Sequence, residues 1–559
     1  MTVLEFRSTH RTRPGPGAIA RFLSVVLVIG VISGACGSAT VTQSAAATAA
    51  NNPSGVVAST APSTPTAAPT ASCKQGGIVT VAFQDPVATL APGTDDVGNG
   101  ELYVTIPLYD TLVALLPGHK DPQPDLATSW DISSDSLTYT FHLRSGVKFS
   151  NGDPVTADDI VFAMNQMMDP KIDLNWQFMV SNVKSFEIVD PATIRMNMSS
   201  ADGSILWTLA HPAFGIYPKK VMQQLGYAAF GQKPVGSGPF MFSSWTPDQS
   251  IKLVKNPYYW GKTSLDGITF DLISDPTARV LAIESGAVDI ASNIAYNQIA
   301  EVTSHADISV PLDKLMIAWQ VTLNNKSKPL DEKVVRQALN YATPKDVINK
   351  LVLAGVGTPS NSMMAQGGQF WDPSIPAYPY DLDKAKALMA QSSVPNGFSL
   401  DVMIKDHTEV AATAAILQAE WAKIGVKLTI TPVSDSVHWD RMLKDDFQAQ
   451  MEDPWAYTSD IPDDNEHAQI FFTDDPSFKS WFSQYDSAET TALVKAADGT
   501  TDNAKRQSLY SQLQTRMMDE SPVVSLLQVP NTNANSTKLL GANVTITGWW
   551  RFDTMCFKA

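Results

Sequence analysis

Tyr139-Thr140-Phe141-His142-Leu143-Arg144-Ser145-Gly146-Val147-Lys148-Phe149, followed by Asn151-Gly152-Asp153-Pro154-Val155-Thr156-Ala157-Asp158-Asp159, decides the fold. Residues Leu137 to Leu143 alternate apolar and polar, the period of a half-buried strand. Asn151-Gly152 is a turn dipeptide. Thr156 is an N-cap candidate, and Asp158 and Asp159 fall in the first turn, where the helix dipole favours acids. The spacing predicts a helix from Thr156 to Met168.

The same alternation of strand and helix continues on both sides. Ile78, Val79, Val81 and Phe83 form a strand-like run after Gly76-Gly77. Val334 to Tyr341 and Ala411 to Ile424 carry the 3.6-residue period of amphipathic helices. Gly425 then stops the second helix, and Val426 to Ile430 alternates as a strand. No internal repeat is visible. Strands mixed with helices over this length predict α/β lobes.

These blocks resemble the family 5 extracellular solute-binding proteins, which serve dipeptide, oligopeptide and nickel importers. The likeness begins with Pro124-Asp125-Leu126-Ala127-Thr128-Ser129-Trp130 and runs through the block quoted above. Gly236-Ser237-Gly238-Pro239-Phe240 and Asn256-Pro257-Tyr258-Tyr259-Trp260 follow in the family's order. So do Glu284 to Ile290, Val334 to Leu339, Asp381 to Leu388 and Lys423 to Val426. One departure is Leu90-Ala91-Pro92, where the family often has an acid before the proline.

The resemblance implies a periplasmic-binding-protein-like fold of two α/β lobes, an extra subdomain in the first, and ligand between the lobes. The expected boundaries are 73–325 for the first lobe, 326–519 for the second, and 520–559 for a return to the first. The motifs read as structural: Arg336 on its helix is expected to make an ion pair, not a ligand contact. The implied function is solute capture for an ABC permease and its ATPase subunits, as a monomer. A peptide is the leading ligand. An oligosaccharide, a nickel chelate, or a sensory or adhesive role without transport are the alternatives.

Candidate ligand contacts are aromatic. Trp176, Trp319, Trp371, Trp439 and Trp455 lie outside the signature and outside regular helix patterns. A Trp face suits sugars or apolar side chains, and its N–H adds direction. In peptide-binding relatives an Asp three residues after a Trp holds the ligand ammonium. Here Trp455-Ala456-Tyr457-Thr458-Ser459-Asp460 puts Thr458 at that place and the first acid at Asp460. Trp455, Tyr457, Thr458 and Asp460 therefore form one candidate group. A sugar reading would use Thr458, Ser459 and Asn99. Asp463 and Asp464 read as a solvated loop. Gln84 to Leu90 matches the place where relatives pair their backbone with a peptide, and Val87 is the candidate there.

The N-terminus reads as an address. Arg7, Arg11, Arg13 and Arg21 precede an apolar run from Phe22 to Ile32, shorter than the roughly 20 residues of a membrane span. Ser33-Gly34-Ala35-Cys36 resembles a lipobox, although Ser33 stands where an aliphatic residue is usual. Residues 1–36 are thus expected to be a lipoprotein signal, with Cys36 the lipid anchor on the outer face of the cytoplasmic membrane; the alternative is ordinary cleavage and a free secreted protein. Residues 37–72 carry no charge and no aromatic, so they cannot bury enough surface to fold. They form a tether of roughly 30–36 Å on average.

Cys73 and Cys556 remain. In an oxidising compartment they pair; the alternative is two isolated thiols. The net charge of −16 and the lack of a basic stripe exclude nucleic acid as a partner.

Enzyme chemistry finds no support. There is no Gly-x-Ser-x-Gly elbow. Gly261-Lys262-Thr263 imitates a phosphate loop, but Asn256 occupies the required glycine. No His-Glu-x-x-His helix exists, and His438 and His467 lack ligand spacing. No catalytic residue, cofactor or resident metal is expected.

Overall fold

The computed structural model describes residues 72–94, 99–172, 174–453, 461–473 and 483–559. The signature folds as its pattern predicts. Strand Ala127–Ile132 pairs antiparallel with Thr138–Leu143, Trp130 opposite Phe141. Thr193–Met198 and Val183–Asp190 complete a four-stranded sheet. Tyr139 and Phe141 are fully buried, whereas Thr138, Thr140 and His142 are partly exposed. Helix Ala157–Met168 starts on a capping box: Thr156 Oγ1 accepts from Asp159 N–H, and Asp159 accepts from Thr156 N–H. Its buried Ile160, Ala163, Met164 and Met167 share one face.

A seven-stranded sheet holds Ile78–Phe83 between Ile290–Ala291 and Gly267–Leu272, parallel to both. Ser250–Lys255 and Phe240–Thr246 extend one side, and Ala534–Ser536 and Ile308–Ser309 the other. In Ile78–Phe83, Val79, Val81, Ala82 and Phe83 are all buried, as expected of a parallel strand covered on both faces.

A six-stranded sheet runs in the order Thr358–Pro359, Val523–Pro530, Lys314–Leu323, Ala449–Met451, Phe398–Lys405, Val426–Val433. Phe398–Lys405 and Val426–Val433 are parallel, joined through helix Thr408–Trp421 and a short 3-10 turn, Ala422–Ile424. Gly425 then adopts φ +84, the left-handed stop expected from sequence. A Cβ on Gly397 would overlap Gly425, so the two glycines let both strands begin side by side.

The chain passes between the two large sheets at residues 310–313 and 531–533. These passages touch, since Asn531 N–H donates to Asp313 O at 2.8 Å. Leu312 holds φ 54, a left-handed conformation that costs a bulky residue about 1–2 kcal/mol. The sequence boundaries at 325 and 520 therefore fall inside the territory of the second sheet. Lys314–Leu323 and Val523–Pro530 are neighbours there.

The motif blocks knit the first part together. Arg144 donates Nε–H to Asp125 O at 3.0 Å and lays its guanidinium 3.7 Å over the Trp260 ring. Trp260 in turn donates to Asp110. Asp125 accepts from Thr111 N–H, and burial pushes its carboxyl up to about 6. Arg336 donates to the carbonyls of Leu330, Glu520 and Ser521, with the Glu520 carboxylate 3.7 Å away.

Cys73 and Cys556 are disulfide-bonded, with Cα atoms 5.5 Å apart. Cys556–Lys558 lies between Cys73–Lys74 and Leu539–Leu540 in a three-stranded sheet. Among the described residues, no helix is long and apolar enough to cross a membrane.

Asp463 and Asp464 depart from expectation. Neither is solvated: both are buried. Asp463 pairs with the equally buried Arg506, and Asp464 accepts from Phe370 N–H at 2.8 Å. Sequence distance hid Arg506 from any local reading of this loop.

Candidate functional site

Strands Phe398–Lys405 and Ala449–Met451 run parallel, so both end on the same edge of the six-stranded sheet. In open α/β sheets, ligands gather beyond such strand ends. Here Lys405 meets the chain leaving Met451. Its Nζ lies 2.9 Å from Glu452 and 3.6 Å from Asp453. The ammonium also stands 5.9 Å above the Trp439 ring, carried by helix Asp435–Leu443. Trp319 donates its indole N–H to Glu452 O at 3.0 Å.

Burial sets the charges of this corner. It pushes Glu452 up to about 7, against the pull of Lys405. Burial draws Lys405 down, but Glu452 and Asp453 outweigh it and raise the ammonium. Burial and then the Lys405 charge bring His438 down to about 4.

Behind the corner lies a polar strip. Gln320 is opposite Ser525, and Thr322 is opposite Gln450, so all four share one face of the sheet. All are buried. Among the described residues, Gln320 Oε1 and Nε2, Thr322 Oγ1 and Ser525 Oγ make no hydrogen bond. Each such group costs about 1–3 kcal/mol if unpaired, so the strip does not serve stability. Two small apolar islands separate from the main core flank it: Met316, Ala318 and Ala365, and Met403, Met442 and Phe447.

The seven-stranded sheet contributes the exit of Ile78–Phe83. Arg279 donates to Ile273 O, Ser274 O, Ser292 O and Asn293 O, and to Gln84 Oε1 at 3.2 Å. It thereby fixes this exit. Asp85 follows. Burial raises its carboxyl, Arg279 opposes, and Asp453 raises it further. Tyr296 is raised by burial and by the carboxylates of Glu409 and Asp453. Asp453, at the end of one sheet, thus acts on Asp85 and Tyr296 of the other part, while Lys405 and Arg279 place a cation beside each carboxylate.

The family model for bacterial extracellular solute-binding proteins, family 5, matches residues 121–479. The chain belongs to this family. Among curated relatives, this family 5 protein is 29% identical over 442 residues to Heme-binding protein A of Haemophilus influenzae, spanning 74% of this chain and 80% of that one. It is 27% identical over 447 residues to Di/tripeptide-binding protein 1 of Pseudomonas aeruginosa, spanning 75% and 83%. Among solved structures, it is similar to the periplasmic binding protein DppA of Helicobacter pylori in complex with the peptide STSA. That match has a TM-score of 0.75 and 26% identity, covering 87% of this chain and 99% of that one. The two-lobe α/β architecture is that of the family.

Of the candidates read from sequence, the family 5 fold brings Trp319 and Trp439 to the Glu452–Asp453 corner. Trp319 is fully buried, and the Trp439 ring is faced by Lys405. Trp176 is placed elsewhere, packed on His211 with ring centres 4.4 Å apart. Trp371 is half-buried and donates to Asn361 Oδ1 at 2.9 Å. Val87 is half-buried against the core, and the next N–H, of Ala88, already donates to Glu101. Trp455, Tyr457, Thr458, Ser459 and Asp460, the side chain of Asn99, and Cys36 lie outside the described residues.

Sequence reasoning missed Lys405, Glu452, Asp453 and Asp85. Their shared position at or just beyond strand ends was the available signal.

Proposed function

We propose that this chain captures a solute outside the cytoplasmic membrane and hands it to an ABC permease, and that the solute is a peptide. The two sheet ends carry the reading: Asp85 follows Ile78–Phe83 in one, Asp453 follows Ala449–Met451 in the other, and Asp453 raises the Asp85 carboxyl. A peptide ammonium entering there is attracted by both carboxylates. Its backbone amides match the neutral donors and acceptors of Gln320, Thr322 and Ser525. Trp319 is fully buried and offers no face for a sugar ring, which favours the peptide over the oligosaccharide. The passages at 310–313 and 531–533 serve as the hinge, with the second lobe spanning 314–530.

Cys36 carries the lipid anchor and residues 37–72 the tether. Replacing Cys36→Ser releases the protein from the membrane fraction.

Titration calorimetry with Ala-Ala-Ala, its N-acetylated form, maltotriose and a nickel–histidine chelate tests the ligand. Ala-Ala-Ala binds, and either N-acetylation or Asp85→Asn weakens it by on the order of tenfold. Binding of maltotriose or the chelate instead overturns the peptide assignment.

A further inference from the structure

The segment after the four-stranded sheet, Asp202-Gly203-Ser204, packs against helices that belong with the six-stranded sheet. Gly203 N–H donates to Asp498 O at 2.8 Å, and Gly203 O accepts from Arg506 Nη1 at 3.2 Å. Ser204 Oγ accepts from Asn465 Nδ2 at 3.2 Å. Three contacts flank these: Ser136 Oγ with Thr501 Oγ1 at 3.2 Å, Lys120 Nζ with Gly368 O at 3.3 Å, and Gln369 Nε2 with Asp121 Oδ1 at 3.3 Å.

The receiving side is complete without its guest. Arg506 holds both oxygens of Asp463, the second at 2.8 Å, and donates Nε–H to Ala497 O at 3.1 Å. Its guanidinium also lies 4.7 Å from the Phe370 ring centre. Only one of its hydrogen bonds reaches across to Gly203. Parting the surfaces therefore leaves no broken ion pair, and water can satisfy the freed backbone groups of Gly203.

Gly203 itself has no left-handed backbone that would demand glycine. What demands it is the opposite surface. A Cβ there would overlap the Thr500 carbonyl oxygen and stand 2.7 Å from Arg506 Nε. A side chain at 203 is thus harmless to its own segment and incompatible with the docked arrangement.

We infer that Gly203 and Ser204 form a closure latch, docking into a preformed socket around Arg506, Asp463, Asp498 and Asn465, and that glycine at 203 sets the balance between closed and open lobes. The inference rests on the two-lobe reading but not on which solute is bound. The latch holds the lobes together at a place apart from the Asp85–Asp453 corner, so it acts without ligand.

The test is the distance between spin labels at Ile188→Cys and Leu351→Cys, both exposed and on opposite parts. It is measured on the purified protein with Cys36→Ser and no ligand added. The expected result is a short distance with Gly203 and a longer, broader one with Gly203→Ala. The closed-to-open ratio falls on the order of tenfold, while the thermal midpoint stays within about 2 °C. An unchanged distance in Gly203→Ala overturns the latch. A midpoint that falls by many degrees also overturns it, because the contact is then part of the permanent fold. Asn465→Ala, which removes a bond from the socket side, is expected to shift the distance in the same direction by less. Because no ligand enters, a wrong peptide assignment leaves every arm readable.

Discussion

Replacing Arg506→Met removes a charge from a site that has no solvent access while Gly203 is docked. Arg506 and Asp463 are both fully buried. The guanidinium makes two bonds to Asp463, one to Ala497 O and one to Gly203 O. Methionine fills much of the volume but satisfies none of these acceptors. Asp463 keeps the N–H of Asn465 at 2.9 Å, which is far less than a buried carboxylate requires. Breaking one side of such a pair costs about 3–5 kcal/mol. Asp463→Asn alone is expected to cost a similar amount, since it strands the arginine. The double variant leaves no buried charge, so its loss is smaller than the sum of the single losses by about 2 kcal/mol or more. Urea unfolding followed by tryptophan fluorescence measures all four corners of the cycle. A loss below about 1 kcal/mol for Arg506→Met, or strict additivity, refutes the view that this pair anchors the loop that sequence reads as solvated.

Other consequences follow from charge and cross-link. Glu452 is raised to about 7 in the fold, so the folded state binds its proton more tightly than the unfolded chain. Its contribution is present below about pH 4.5 and is lost as pH rises through 7. Glu452→Gln is therefore expected to gain stability relative to the parent across that window, checked by unfolding at pH 5 and pH 8. His467 moves the other way, held by burial at about 4. Its contribution is present above about pH 6.5 and is lost as pH falls through 4, by up to about 3 kcal/mol. His467→Leu should flatten that limb of the acid unfolding profile. Finally, Cys73→Ser with Cys556→Ser opens a cross-link spanning 483 residues, which should lower stability by up to about 5 kcal/mol in a urea melt.

The elements legible in sequence were those with local causes. Tyr139 and Phe141 alternate with threonines, and Thr156 and Asp159 cap each other across three residues, so strand and helix were readable from the chain alone. Gly425 likewise stops its own helix. The second sheet was harder. Lys314–Leu323 is buried at nearly every position, which erases the alternation that would mark a strand, and its partner Val523–Pro530 lies some two hundred residues away. The site had the same difficulty. Lys405 meets Glu452 only because two parallel strands end together, and no spacing in the sequence encodes that meeting. Tryptophans were conspicuous in the sequence, yet Trp319 anchors a backbone carbonyl from within the core.

The placing of Ala534–Ser536 and Cys556–Lys558 has a consequence for how the chain acquires its shape as it emerges amino-terminus first. Strand Ile78–Phe83 appears early, but one flank of its sheet is completed by Ala534–Ser536, and the segment just before it is fastened by Cys556. The six-stranded sheet needs nothing beyond Pro530. Both large sheets therefore wait for strands encoded near the end of the chain, and the part encoded at the beginning waits longest. Such a chain stays incompletely folded until its last residues are in place.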